Sequence, residues 1–93
     1  MDVRAALSLT ANLRRRVLDM IDAGVIRGDG CAIKTMADAA LRSLAAGQTD
    51  QSVEWLNELV DLTDTTVRAG NLPTKRGTEL VEEAHAILSR LQA

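Results

Sequence analysis

Two short stretches limit what this chain can become. Ala23-Gly24-Val25-Ile26 and Ala69-Gly70-Asn71-Leu72 have the same design. In each, an amphipathic pattern runs up to Ala-Gly, breaks, places an apolar residue and restarts. Glycine just past the last periodic residue is a helix stop, because it adopts the left-handed conformation without a Cβ penalty. The apolar residue that follows is placed to plug the end of a core. Each stretch reads as the turn of a helical hairpin. The chain then becomes two hairpins, and the expected fold is an all-α four-helix bundle built from two antiparallel helical hairpins.

The periodicity supports this element by element. Ala6, Leu9, Leu13, Val17, Met20 and Ile21 form one helical stripe, which predicts a first helix from about Val3 to Ala23 with Asp2 as its N-cap. Val25 and Ile26 follow as the plug. Gly28-Asp29-Gly30 is turn chemistry. It shares a few residues with a calcium loop, but no carboxylates follow at alternate positions. Ile33, Met36, Ala37, Ala40, Leu41 and Leu44 predict a second helix from about Cys31 to Ala45, closed by Gly47. Its alanines allow a neighbouring helix to approach closely. Val53, Leu56, Leu59, Val60, Thr63 and Val67 predict a third helix with Asp50 as N-cap and an end near Ala69. Gly70, Asn71 and Pro73 terminate it. Leu80, Val81, Ala84, Ile87, Leu88 and Leu91 predict a fourth helix from about Thr74 to Leu91. Lys75 and Arg76 fall in its first turn, where the dipole disfavours cations. Either the helix starts nearer Thr78 or those two residues serve another purpose.

The halves can be laid over each other. Leu13 falls on Leu59 and Ile21 on Val67. With a one-residue insertion, Ile33, Ala37, Ala40, Leu41 and Leu44 fall on Leu80, Ala84, Ile87, Leu88 and Leu91. With 93 residues the chain suffices for a single domain, spanning residues 1–93. A domain of this size buries about 60–65% of its unfolded surface, so one modest core is feasible.

Composition narrows function mostly by exclusion. Net charge is −2, from 11 basic and 13 acidic side chains that are interspersed. No global field exists to attract DNA or an anionic membrane. Trp55 is the only aromatic residue, so stacking platforms for single-stranded nucleic acid are missing. No apolar run is long enough to span a bilayer, and the N-terminus lacks the apolar segment of a signal peptide. Neither nucleic acid nor membrane is expected as a partner. The single Cys31 cannot form an internal disulfide.

Catalytic patterns are sparse. His85 is the only histidine, and zinc needs three or four ligands. A Cys31–His85 nucleophilic pair has no supporting motif. A histidine on a bundle helix resembles phosphotransfer domains. Those carry a Leu-Lys-Gly-like run after the histidine, whereas His85 is followed by Ala86-Ile87-Leu88-Ser89-Arg90. No cofactor and no metal is expected, and the reading is non-enzymatic.

The candidate interaction residues are charged or aromatic. Arg14-Arg15-Arg16 is a basic run on the first helix. Asp50, Glu54, Glu58, Asp61 and Asp64 recur every three or four residues, stacking five carboxylates on one face of the third helix. That face is either a solvated stripe, a stripe relieved by the arginines lying alongside, or a surface for a basic partner or cation. Trp55 lies beside the apolar stripe and either fills a core boundary or anchors a partner. Val25, Ile26, Trp55 and Leu62 are spare apolar residues through which a second copy of the chain would bind, giving a homodimer.

The order of these features resembles the FIMAH domain, a helical module at the ends of many bacterial secreted hydrolases. The residues carrying the resemblance are Gly24-Val25-Ile26, Ala40-Leu41, Ala45, Gly47, Leu56-Asn57-Glu58-Leu59-Val60, Val67, Gly70, Ala84, Ile87-Leu88 and Leu91. Leu59 stands where that family often has Phe. The resemblance implies a non-catalytic accessory module, extracellular and attached to a larger protein. It carries over no catalytic residue.

Overall fold

A computed structural model describes residues 3–28 and 30–92. Asp2 and Asp29, expected in a cap and a turn, lie outside the described residues. Four helices follow in order: α1 (Val3–Asp22), α2 (Gly30–Ala45), α3 (Thr49–Arg68) and α4 (Thr74–Gln92). A helix of twenty residues is ~30 Å long, and the bundle measures 35 × 20 × 17 Å. α1, α3 and α4 therefore run nearly the full length and the sixteen-residue α2 about two-thirds of it, and the short connections make successive helices antiparallel. α1 packs on α2 and α4, and α3 packs on the same two. The diagonal pairs, α1 with α3 and α2 with α4, do not meet. This is a four-helix bundle of two hairpins, as the stripes require.

The three connections begin with the same stop. Gly24, Gly47 and Gly70 have φ of 71°, 77° and 80°. Their N–H groups donate back to the carbonyls of Ile21, Leu44 and Val67, each at 3.0 Å, and the next residue's N–H reaches one carbonyl further back. Val25 N–H to Met20 O, Gln48 N–H to Ser43 O and Asn71 N–H to Thr66 O complete the pattern. This double bond satisfies carbonyls that a helix end leaves open.

After that shared start the connections diverge. At the α1–α2 and α3–α4 turns, Ile26 and Leu72 turn inward and are buried, at 7% and 3% exposure. The two turns sit side by side at one end of the bundle, joined by Arg27 N–H donating to Asn71 O at 2.8 Å. The α2–α3 connection lies at the other end, and Ala46, Gly47 and Gln48 are all exposed. It has no plug. Gln48 both completes the stop of α2 and opens α3, accepting from Ser52 N–H at 3.1 Å. Helix α3 thus starts two residues earlier than an Asp50 N-cap implies. Gln48, not Asp50, occupies the N-cap, and its side chain makes no capping bond. Asp50 sits in the first turn, where its charge suits the helix dipole. α4 begins at Thr74, with Gly77 N–H donating to Pro73 O, so Lys75 and Arg76 do lie in its first turn.

The core contains most of the predicted stripes, with Leu41 and Val81 half-buried outside it, and several polar residues, of which the stripes include only Thr63. Leu13, Val17, Ile33, Leu56, Leu59, Leu80 and Ile87 have no exposure. Leu9, Ile21, Met36, Val53, Val60 and Val67 pack at its edge. Thr10, Ser52, Thr63 and Thr66 are also buried. Burial of a hydroxyl is tolerable when it is hydrogen-bonded. Thr10, Thr63 and Thr66 donate to carbonyls four residues back at 2.6 to 2.7 Å. Ser52 donates across to Ala40 O of α2 at 3.0 Å, where small residues bring α2 and α3 together.

Two further glycines extend the correspondence between halves. A Cβ on Gly30 would meet Ile21 Cγ1 at 3.2 Å and Ile26 Cγ2 at 3.0 Å. One on Gly77 would meet Val67 Cγ2 at 2.4 Å and Leu72 Cδ2 at 3.6 Å. In each hairpin, the first turn of the second helix holds a glycine set against two equivalent partners. Gly77→Ala gains helix propensity but forces Val67 to move. We expect a net loss of about 1–3 kcal/mol, a drop in Tm of roughly 4–8 °C per kcal/mol. Gly30→Ala, with a looser fit, should lose clearly less. Thermal melts followed by circular dichroism at 222 nm check the ranking, and an unchanged Tm in Gly77→Ala would contradict this packing.

Candidate interaction surface

Consecutive helical residues point about 100° apart, so the arginine run fans out. Arg14 reaches toward α2 and pairs with Asp38, which also meets Lys34 at 3.5 Å. Arg16 reaches toward α4, to Glu83 at 3.0 Å and Glu79 at 3.6 Å. Arg15, between them, is exposed and donates to Asn12 on its own helix at 2.8 Å. None of them relieves the acidic row on α3. α1 and α3 are diagonal in the ring, so the expectation that the arginines lie alongside those carboxylates is corrected.

The acidic row itself is as the spacing implies. Asp50, Glu54, Glu58, Asp61 and Asp64 are all exposed on one helix. Asp64 pairs with Arg68 at 2.8 Å. Among the described residues the other four carboxylates make no ion pair. Trp55 is half-buried against the core edge. Together with Gln51, Glu54 and Glu58 it lines a shallow open groove on the outer side of α3. The structure therefore brings Trp55 together with two of the carboxylates and separates this group from the arginines.

The other singled-out residues stay apart. Cys31 and His85 are exposed, and they sit on α2 and α4, which do not pack together, so they form no pair. Among the described residues no group of three His, Cys, Asp or Glu is placed to hold a metal ion, and no helix is long and apolar enough to cross a membrane. Of the four residues proposed as spare apolar surface, Ile26 is buried in the core, while Val25, Trp55 and Leu62 pack half-buried against it. Sequence reasoning did not find a larger open groove, of about 580 Å³, between Asn12, Arg15 and Arg16 of α1 and Arg76 and Glu83 of α4. The poor match of Arg76 to the helix dipole was its one signal. Arg76 meets Glu79 at 3.3 Å, and the buried Oε2 of Glu83 has no hydrogen-bond partner.

The fold alters the protonation of Asp38. Burial pushes its carboxyl up, but the Arg14 hydrogen bond and charge, with the charge and hydrogen bond of Lys34, hold it below the ordinary carboxylate value. Its folded pKa is thus lower than its unfolded one. The stability it supplies is present above the unfolded value, about 3.9, and is lost as pH falls through the folded value. Asp38→Asn should cost at most ~1 kcal/mol at neutral pH, since both partners are partly exposed. The gap from wild type should narrow at a pH below the unfolded value. Urea unfolding at the two pH values tests this, and a gap unchanged at low pH would contradict it.

The fold and this surface define a class, an all-α four-helix bundle with an acidic outer helix. Searches against protein-family models, curated proteins and solved structures find no match to the chain.

Proposed function

We propose that this chain is a non-catalytic helical interaction module, an accessory part of a larger bacterial protein, that docks a basic protein segment on the outer face of α3. The observation that carries the reading is the contrast between its charged groups. Arg14 and Arg16 are satisfied within the bundle, whereas Asp50, Glu54, Glu58 and Asp61 are exposed and pair with no cation among the described residues. Like charges at such spacings destabilise a helix by about 0.2–0.5 kcal/mol per pair. A row that weakens its own helix is accounted for if its counter-charge comes from outside. Trp55 supplies an apolar anchor within that row, and Trp is a frequent centre of binding energy at interfaces. The resemblance to FIMAH supports the accessory role and an extracellular setting. The partner is another protein or another domain of the parent chain.

The test couples stability and binding. Reversing Glu54 and Glu58 to Lys makes the 50/54 and 58/61 pairs attractive and leaves 54/58 like-charged, so the variant should be more stable by about 0.5 kcal/mol. It should also lose affinity for a Lys/Arg-rich helical peptide, titrated by Trp55 fluorescence. The binding should weaken with salt. Reversal of Glu82, exposed on α4, serves as the control and should leave the affinity unchanged. Equal loss in both variants would mean general charge attraction and no α3 site.

A further inference from the structure

Among the described residues Val3 is the one large apolar side chain classed as exposed, at 36%. The apolar surface able to hold a partner tightly is therefore internal, between the hairpins. The two hairpins match along that surface. Gly24 and Gly70 make the same stop, Ile26 and Leu72 plug the same end, and Gly30 and Gly77 meet the same neighbours. A hairpin from a second copy fits this surface with every contact already made within one chain. The connections differ in how firmly they are held. The α1–α2 and α3–α4 turns are plugged and bonded to each other through Arg27 and Asn71. Residues 46–48 are exposed, unplugged and dependent on one left-handed glycine, Gly47.

We infer that the chain pairs with a second copy by exchanging hairpins about this hinge. Gly47 leaves its left-handed conformation and α2 runs on into α3. The α1–α2 hairpin of one copy then packs with the α3–α4 hairpin of the other, and the Ser52–Ala40 bond forms between copies. Exchange of an identical element between copies about a short hinge is a low-cost route to a dimer. The outer face of α3 stays free, so this inference is independent of the docking role.

Gly47→Ala and Gly24→Ala are matched variants. Both replace a left-handed glycine with nothing within 4 Å of the added Cβ, so both carry the same backbone strain. Exchange relieves the strain only at Gly47, and at two hinges per dimer. Light scattering after refolding from micromolar to millimolar concentration should show the dimer constant raised about 30- to 900-fold in Gly47→Ala. It should stay near the wild-type value in Gly24→Ala. The isolated dimer should persist on dilution and revert only after unfolding. A monomer at every concentration, an equal gain in both variants, or immediate dissociation on dilution would each overturn the inference. A Gly-Ser insertion after Gly47 in the otherwise unaltered chain tests it without the strained alanine. Wild type refolded at millimolar concentration should yield dimer and the insertion variant none. Absence of dimer in wild type, or its survival in the insertion variant, would also overturn it.

Discussion

The bond from Arg27 N–H to Asn71 O ties together the two turns on which the bundle rests. Each turn must end a helix, seal the core and start an antiparallel partner within a few residues. Left-handed glycine does the first, with its paired backbone bonds. Ile26 and Leu72 do the second. The third follows, because the first-turn glycine of α2 or α4 lets it approach the preceding helix closely. With both turns at one end, the hairpins meet along their stripes and the ring of four helices closes. The correspondence is not complete. The position matching Arg27 is Pro73, which has no N–H to return the bond.

Charge is distributed unevenly around this ring. On α1 it serves the fold: Arg14 and Arg16 bridge to the two adjacent helices. These partly exposed pairs contribute little energy, and they join α1 to the two helices that the ring order already places beside it. On α3 the carboxylates have no such task. The diagonal relation of the two helices keeps basic and acidic faces on opposite sides. That geometry turns a nearly neutral chain into one with a distinct acidic surface around Trp55.

Much of the fold was legible in the sequence because local signals and tertiary demands agree. Glycine stops and three-four periodicity gave helix limits within about one or two residues, the usual uncertainty of helix ends. Periodicity of apolar residues missed Thr10, Ser52 and Thr66, since their burial depends on hydroxyls bonding to backbone carbonyls. It also missed Gly77, whose role is the absence of a side chain beside Val67. Asp50 looked like an N-cap by residue type, but Gln48 already served two helices at once. The acidic face was legible from spacing alone. The partners of the arginines were not, because three consecutive residues point to three places and only the ring order decides what is there. The same holds for the groove between α1 and α4.

The central claim is mechanical: one end of the bundle is locked by its paired turns, whereas the connection at the other end is exposed and has no plug. Native-state hydrogen exchange at single amides tests it most directly. The amides of Val25, Arg27 and Asn71 should exchange only through openings close in free energy to global unfolding. Those of Gly47 and Gln48 should exchange through a much cheaper local opening. Equal protection at the two ends, or faster exchange at Arg27 than at Gln48, would contradict it.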